Sequence, residues 1–488
     1  MVPDKAAPLP EASSPITRLQ VDICVVGGGA GGLALAAGAA AFGRRVALIE
    51  KHKIGGNSLY CGSVPSKALL AAAHRAHQVR TCAPFGISPL EPAIDFAAVN
   101  RHVRSVVAGM GRNNSVERFQ ALGVQVIQAP ARFVDSSTIS AGDFLIGARR
   151  FVIATGSSPI IPAIAGLADV RYFTNETIFE NDILPEHLII VGGGPFGLEM
   201  AQAHRRLGSR VTVLEARRVL PREDPEVTSQ LLHLLRQEGV EVRESASVTA
   251  VHPMAGGVKV EVSGPKGMES VDGSCLLIAA GRQPNVSDLS LAAAGVRFEK
   301  SGIRVDAGLR TTNKKIFALG DVTGGPSYTH VAEYHAGLVL RRLLFRLPAS
   351  VSPSLIPRVT FTEPELAHVG LSEAECSAKR LKVCVLRWPY GQTDRAQTDR
   401  MVEGHVKIVT DRRGRILGAT ILGAQAGELI QIWSHAIAQR MNVRDMMRWI
   451  APYPTLGEVN RKAALRFTID TPANPLLRRV IGWLAKLG

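Results

Sequence analysis

Cysteine is scarce and scattered in this chain. The 488 residues contain six cysteines, and no two of them have the spacing C-x-x-C. This distribution argues against a structural zinc site and against the disulfide framework of small secreted proteins. We therefore expect no metal site and a reduced, cytoplasmic chain.

Long apolar runs and basic blocks are also missing. No uninterrupted apolar stretch reaches the roughly 18 residues that a membrane-spanning helix needs, and the first twenty residues lack the apolar segment of a signal peptide. The formal net charge is +15, but Arg and Lys occur singly or in pairs. We therefore expect no nucleic-acid partner and an evenly basic surface suited to anionic cofactors or anionic lipid.

What the chain does contain is one pattern used twice. Its first copy, VDICVVGGGAGG, is an apolar strand that leads into G-x-G-x-x-G at Gly27, Gly29 and Gly32. A helix-forming segment follows, and then a second strand that ends at Glu50. The glycines allow a pyrophosphate to approach the backbone, and the carboxylate can accept hydrogen bonds from ribose hydroxyls.

The second copy, HLIIVGGGPFG, places G-x-G-x-x-G at Gly192, Gly194 and Gly197, and its next strand ends at Glu215. Two such units predict two bound dinucleotides. A carboxylate at Glu215 suits a free ribose 2′-hydroxyl and repels a 2′-phosphate, so we favour NAD(H) over NADP(H). Arg217 and Arg218 follow after one residue and leave NADP(H) open as the alternative.

A third motif, GGNSLYCGSVPSKALL, occupies residues 55–70. It resembles the redox helix of the pyridine nucleotide–disulfide oxidoreductases, the family of dihydrolipoamide dehydrogenase, glutathione reductase and mercuric reductase. That family reads GG-x-C-x-x-x-x-C-x-P-S-K, and its two cysteines form a disulfide against the flavin. The resemblance places Ser58 and Ser63 at the cysteine positions. Because a hydroxyl cannot cycle between dithiol and disulfide, we expect the sulfur chemistry of the family to be absent.

The resemblance covers about residues 20–468 and implies both fold and cofactors. We expect an α/β homodimer with two Rossmann-like dinucleotide-binding domains, FAD in the first, and a C-terminal α+β dimerisation domain. The expected domains are the FAD-binding domain at 20–158 and 285–350, the NAD(P)-binding domain at 159–284, the dimerisation domain at 358–468 and an amphipathic helix at 474–488. Locally, residues 71–120 read as helical and residues 124–134 as a strand pair of a small β-meander.

The resemblance also assigns roles to single residues. It implies that Lys67 and Glu199 form a pair near flavin N5, where the cation stabilises the reduced, anionic flavin. Asp321, in KIFALGDV, would hold the ribitol of the flavin. The other residues expected to bind cofactors are Gly56, Ala129, Thr155, Gly156, Gly281 and Arg282.

Relatives place a His-x-x-x-x-Glu pair from the partner subunit over the reactive thiol, and here the matching residues are Tyr453 and Glu458. A tyrosine is a poor general base at neutral pH but can donate a proton or line a pocket, so both residues are catalytic candidates. Cys61 lies between the two serines. We expect it to be a small buried thiol, with a redox role as the alternative.

The C-terminal segment NPLLRRVIGWLAKLG predicts a basic amphipathic helix with a tryptophan. Such a helix either packs on the dimer or lies on the anionic inner face of a membrane, and both interpretations stay open.

Together these features predict an FAD-dependent NAD(P)H oxidoreductase that passes electrons from flavin to a small non-disulfide acceptor, for which a quinone is a candidate. Two alternatives stay open. One is a pyridine nucleotide transhydrogenase, because Tyr453-Pro454-Thr455 resembles the soluble transhydrogenases. The other is a membrane-tethered flavoprotein scaffold or sensor with vestigial catalysis.

Overall fold

The structure, a computed structural model, describes residues 16–469 and 475–487. The first unit contains the first glycine motif and the 55–70 segment. Its elements are β1 (Thr17–Val26), α1 (Ala30–Ala41), β2 (Val46–Glu50), α2 (Gly56–Tyr60), α3 (Ser63–Arg80), α4 (Phe96–Gly111), α5 (Val116–Ala121), β3 (Val124–Gln128), β4 (Ala131–Asp135), β5 (Thr138–Ala141), β6 (Phe144–Ile153) and β7 (Ser157–Pro159).

The sheet of this unit has the order β3-β2-β1-β6-β5-β4. Strands β3, β2, β1 and β6 are parallel, whereas β4, β5 and β6 form an antiparallel meander. The expected pairing within residues 124–134 is therefore wrong, since β3 and β4 lie at opposite edges. Helices α3 to α5 return the chain beside β2, so β3 joins the parallel part of the sheet.

The expectation of helix throughout 71–120 is also wrong in part. Helix α3 ends at Arg80, and α4 begins at Phe96. The intervening residues contain Pro84, Pro89 and Pro92, which remove backbone donors and break the helix.

The second unit repeats the strand–helix–strand arrangement around the second glycine motif. Its elements are β8 (His187–Val191), α6 (Pro195–Leu207), β9 (Arg210–Leu214), α7 (Pro225–Gln237), β10 (Val240–Arg243), β11 (Ser247–Met254), β12 (Gly257–Gly264), β13 (Gly267–Gly273), β14 (Cys275–Ile278) and β15 (Arg282–Pro284). Strands β10, β9, β8 and β14 form a parallel sheet in this order, and β11, β12 and β13 form a separate antiparallel meander. Strand β15 pairs with β7 and leads the chain back to the first unit.

The next segment completes the first unit. Its elements are β16 (Phe298–Glu299), β17 (Gly302–Ile303), β18 (Ile316–Ala318) and α8 (Thr329–Phe345). Strand β18 pairs in parallel with β6 and becomes the seventh strand of the large sheet. Helix α8 packs against α1, with Ala336 and Val339 buried beside Ala36 and Ala39.

The last unit is an antiparallel sheet with helices. Its elements are β19 (Arg358–Thr360), β20 (Glu365–Gly370), α9 (Glu373–Ala378), β21 (Val383–Pro389), α10 (Asp394–Thr398), β22 (His405–Asp411), β23 (Ile416–Gly423), α11 (Ala426–Ala438), α12 (Val443–Arg448) and α13 (Glu458–Leu465). The strand order is β19-β20-β23-β22-β21. The expected α/β class, with two Rossmann-like units and a C-terminal α+β unit, is confirmed.

A final helix, α14 (Pro475–Leu484), follows the sheet unit. Within residues 16–469 and 475–487, no helix combines the length and apolar character needed to cross a bilayer.

Candidate active site

A groove of about 2450 Å³ runs between the two glycine motifs and the C-terminal sheet unit. This volume exceeds the roughly 300–1000 Å³ of a typical small-molecule site, so the groove can hold two dinucleotides. The predicted residues that line it are Gly27, Gly29, Glu50, Gly56, Lys67, Thr155, Gly156, Gly194, Glu199, Gly281, Arg282 and Asp321.

The two strand-end carboxylates are held in the same way. Glu50 accepts hydrogen bonds from the backbone N–H groups of Gly28 (2.6 Å) and His52 (2.8 Å). Glu215 accepts them from Gly193 (2.8 Å) and Arg217 (2.9 Å). Each carboxylate is thus anchored beneath its glycine loop, as ribose recognition requires.

The glycines of the motifs have two different functions. A Cβ on Gly32 would lie 1.9 Å from the carbonyl oxygen of Gly27, and a Cβ on Gly197 would lie 2.1 Å from that of Gly192. Since none of Gly32, Gly192 and Gly197 lines the groove, these positions serve close packing of helix on strand.

Gly56, in contrast, shapes the groove itself. Its φ is +66°, and a Cβ there would lie 2.7 Å from the Cα of Gly29. The start of α2 therefore meets the first glycine loop backbone to backbone. Such a cradle without side chains, at the N-terminus of α1, suits the pyrophosphate of a dinucleotide.

Lys67 and Glu199 form an ion pair in the middle of the groove. Lys67 Nζ lies 2.7 Å from Glu199 Oε2, and the Glu199 side chain is 4% exposed. Phe361 supports both partners: its backbone N–H donates to Glu199 Oε1 (2.9 Å), and its ring lies 4.3 Å from Lys67 Nζ. Phe361 comes from the C-terminal sheet unit and belongs to no motif, so it was not predicted.

A second polar network joins Arg282 to Asp321. Ser157 Oγ donates to Asp321 Oδ2 (2.6 Å), and Arg282 Nε donates to Ser157 Oγ (2.8 Å). Arg282 also donates to Asn175 Oδ1 (3.1 Å). Burial lowers the pKa of Arg282, and the charge of Asp321 opposes that shift. Ser157 and Asn175 were not predicted, because neither belongs to a motif.

Ser58 and Ser63, the serines at the cysteine positions of the third motif, both line the groove. Ser58 Oγ lies 2.5 Å from Thr329 Oγ1, and Ser63 is the first residue of α3. Between them, burial raises the pKa of the Cys61 thiol to about 11, and the nearby carboxylate of Glu176 acts in the same direction. The thiol is therefore protonated at neutral pH, which opposes a nucleophilic or redox role.

Besides Gly32, Gly192 and Gly197, four predicted site residues do not line the groove: Glu215, Ala129, Tyr453 and Glu458. The side chain of Tyr453 is exposed and donates to Asp394 Oδ2 (3.0 Å), an interaction that raises the tyrosine pKa. Glu458 lines a small separate pocket with Ile450 and Arg461. Ala129 packs against the core of the first unit. Within one chain, Tyr453 and Glu458 are thus not brought to Lys67.

A cluster of three carboxylates outside the groove could attract a cation. Asp224, Glu226 and Glu373 place oxygens within 4.8 Å of one another. Lys407 already occupies their centre, with Nζ at 2.6 Å from Asp224, 2.8 Å from Glu226 and 2.7 Å from Glu373. The cluster joins the second unit to the C-terminal sheet unit.

Comparison with known proteins agrees with this geometry. Residues 21–336 match the family model of pyridine nucleotide-disulphide oxidoreductases, and residues 356–464 match the dimerisation domain of that family. The chain belongs to the pyridine nucleotide-disulphide oxidoreductases. Like its relatives, this oxidoreductase is an FAD-dependent enzyme that uses a pyridine nucleotide.

Relatives of this oxidoreductase carry several names. It is 36% identical over 457 residues to a mercuric reductase from Streptomyces lividans. The alignment covers 92% of this chain and 96% of the relative. It is 32% identical over 466 residues to a dihydrolipoyl dehydrogenase from Bacillus subtilis, covering 91% and 96%.

Solved structures show the same fold. LpdA from Mycobacterium tuberculosis matches with a TM-score of 0.84 and 28% identity over 92% of this chain and 99% of that chain. The Cu(II) complex of the HOCl-induced flavoprotein disulfide reductase RclA from Escherichia coli matches with a TM-score of 0.82 and 27% identity, over 90% and 99%.

Proposed function

We propose that this oxidoreductase oxidises NAD(P)H and passes the electrons to a non-disulfide acceptor, without a redox-active disulfide. The observation that carries the proposal is the Ser58–Thr329 contact of 2.5 Å, at the place where the resemblance puts the first sulfur. A hydroxyl held by a second hydroxyl offers no thiolate, and the Cys61 thiol beside it is protonated.

The first unit has a site that fits FAD. Gly27, Gly29 and Gly56 would hold its pyrophosphate, Glu50 its adenosine ribose and Asp321 its ribitol. When bound, FAD supplies a carrier that takes two electrons from a reduced nicotinamide. Lys67 would contribute a fixed positive charge beside it, and Glu199 keeps the ammonium in place at 2.7 Å.

NAD(H) is the proposed electron donor. The Glu215 carboxylate is fixed by two backbone N–H groups and would accept hydrogen bonds from a free ribose diol. Arg218, which could otherwise pair with a 2′-phosphate, donates to the carbonyl oxygens of Pro221 (3.1 Å) and Glu223 (3.2 Å). Both features favour a dinucleotide without the 2′-phosphate.

A homodimer would bring the exposed Tyr453 to the groove of the partner subunit. In the family that the chain resembles, the His and Glu that match Tyr453 and Glu458 act across the subunit interface. This chain contains the dimerisation domain of that family. We propose that Tyr453 lines the acceptor end of the site and that Glu458 orients the segment that carries it.

Anaerobic titration of the purified holoenzyme with NADH tests the main proposal. We expect full bleaching of the flavin at two electrons per FAD, without the long-wavelength band of a thiolate–flavin complex. A four-electron endpoint, or turnover of lipoamide or glutathione, would overturn the proposal. Reduction by NADPH at a similar rate would favour transhydrogenation. Absence of turnover with quinones, dyes and metal ions, despite bound FAD, would favour the alternative of a membrane-tethered flavoprotein scaffold or sensor.

We also propose that α14 contacts an anionic membrane surface, which would give access to a quinone. The apolar residues Val480, Trp483 and Leu484 follow one stripe of the helix and are 52–61% exposed. The segment from residue 474 to 488 contains three basic and no acidic residues. Apolar area together with positive charge is the combination that anionic bilayers bind.

Co-sedimentation of the full chain with vesicles tests this contact. Binding is expected with phosphatidylglycerol vesicles and not with phosphatidylcholine vesicles, and Trp483→Asp should abolish it. Met268→Asp is a matched control, because Met268 is 63% exposed on β13, in the second unit. Equal binding by the Trp483 variant would refute the membrane contact.

A further inference from the structure

The Lys67–Glu199 pair is a direct polar contact between α3 and α6, and Arg80 of α3 also donates a hydrogen bond to the backbone carbonyl of Arg206 on α6. Seven residues further along each helix lie His74 on α3 and Arg206 on α6. Seven residues are about two helical turns, so His74 lies on the face of Lys67, and Arg206 on the face of Glu199. The two helices therefore face each other with polar side chains at two levels. Lys67 and Glu199 form the first level, and His74 and Arg206 form the second.

Glu363, from the C-terminal sheet unit, closes the second level. Its Oε2 lies 2.7 Å from His74 Nδ1 and accepts a hydrogen bond from Arg206. The backbone of Glu363 is held as well: its N–H donates to Gln202 Oε1 (2.8 Å), and its carbonyl accepts from Gln202 Nε2 (2.7 Å). Gln202 lies on α6 between Glu199 and Arg206.

The loop that carries Glu363 also reaches the first level. Two residues earlier, Phe361 donates its N–H to Glu199 (2.9 Å) and places its ring 4.3 Å from Lys67 Nζ. The loop 361–363 therefore follows α6 from Glu199 to Arg206 and touches both helices at both levels.

Burial makes the second level costly to disturb. The Arg206 side chain is 6% exposed, and it pairs with Glu238 (2.8 Å) as well as with Glu363. A buried guanidinium that loses one of two carboxylates is poorly compensated, and neighbouring groups move to restore contacts.

We infer that Glu363, held by Arg206 and His74, is a positioning residue that fixes Phe361 and, through it, the alignment of Lys67 with Glu199. This inference rests on the proposed function, in which Lys67 places a positive charge beside the flavin that the nicotinamide reduces and Glu199 holds that charge in place. With this role, the C-terminal sheet unit contributes to the reduction of the flavin by the nicotinamide, in addition to dimerisation.

The test compares Glu363→Gln with Arg387→Gln in the holoenzyme. Arg387 is a matched control, because it also joins the C-terminal sheet unit to the second unit through Glu226 (2.8 Å), and its side chain is 43% exposed, against 37% for Glu363. Stopped-flow reduction by NADH should show a limiting rate about fivefold lower for Glu363→Gln, with an unchanged dissociation constant for NADH. Arg387→Gln should reduce at the normal rate.

Amide hydrogen exchange provides a readout independent of activity. Exchange at Phe361 should accelerate in Glu363→Gln and stay unchanged in Arg387→Gln, because the Phe361 N–H bonds Glu199. In a Lys67→Met background, Glu363→Gln should have no further effect on the limiting rate.

The outcomes separate the two proposals. Normal reduction by Glu363→Gln, or the same fivefold loss in the Lys67→Met background, would overturn the positioning role. Normal reduction by Lys67→Met alone would instead overturn the proposed part of Lys67, and with it any role of Glu363 that acts through the pair.

Discussion

Replacing Glu215 with glutamine should change which nicotinamide cofactor the enzyme uses. Glutamine keeps the shape of the side chain but has a single acceptor oxygen, whereas the N–H groups of Gly193 (2.8 Å) and Arg217 (2.9 Å) donate to separate oxygens of the carboxylate. The substitution therefore removes the charge and one of the two hydrogen bonds from the loop, while the size of the side chain stays the same.

The size of the effect follows from the two interactions that change. A hydrogen bond to a charged acceptor contributes about 1.5–3 kcal/mol and one to a neutral acceptor about 0.5–1.5 kcal/mol, so NADH should lose about 1.4 kcal/mol, or roughly tenfold in kcat/KM. Two negative charges about 4 Å apart near a protein surface repel by up to about 4 kcal/mol. Discounted for solvent screening, removal of this repulsion should improve NADPH roughly 10- to 100-fold.

Steady-state kinetics with a saturating acceptor would measure the ratio of kcat/KM for NADH to that for NADPH. The ratio should fall about 100-fold or more. Glu50→Gln is the internal control, because Glu50 is anchored in the same manner in the first unit; it should weaken FAD retention and leave the nicotinamide preference unchanged. A change of less than threefold in the ratio for Glu215→Gln would refute the assignment of Glu215 to the ribose.

Three further predictions concern Cys61, Lys407 and Glu363. With a pKa near 11, caused mainly by burial, Cys61 should be alkylated at pH 7.5 about 100-fold more slowly than an ordinary cysteine, and rapid labelling in peptide mapping would contradict this. Lys407→Met leaves three carboxylates without their shared cation and should cost about 3 kcal/mol, seen as a lower Tm with normal flavin reduction; an unchanged Tm would refute a stabilising role of this cluster. Burial alone would raise the pKa of Glu363, but His74 and Arg206 lower it from 4.5 to about 2. The charged form therefore stabilises the fold above about pH 4.5, and this stabilisation is lost toward pH 2. The Tm deficit of Glu363→Gln should accordingly shrink between pH 5 and 2.5, and a constant deficit would contradict it.

The repeated strand–glycine–acid pattern was enough to predict the two dinucleotide-binding units, whereas the C-terminal α+β unit was predicted from the family resemblance. Each copy fixes a strand, a helix start and a carboxylate within about 25 residues, so local chemistry determines the local structure. The position of β3 was mispredicted for the opposite reason. Which strand VQVIQ pairs with depends on where α3 to α5 carry the chain, and adjacent residues do not encode that path.

The residues of the candidate site also fall into two groups, those that belong to a local motif and those that reach the site from a distant segment. Lys67 and Glu199 could be named from their motifs, yet Phe361 and Glu363 could not, because they reach the pair from a segment more than 160 residues beyond Glu199. Ser157 and Asn175 were missed for the same reason: their importance lies in contacts with Arg282, and a contact across the fold leaves no mark on neighbouring residues.

The ammonium of Lys407 lies among three carboxylates, in the kind of oxygen cage that many proteins close with calcium or magnesium. A cation that is covalently part of the chain cannot be diluted, exchanged or removed by chelation. The contact between the C-terminal sheet unit and the second unit is therefore independent of the supply of divalent ions. Acid, which neutralises the carboxylates, is the condition that weakens it.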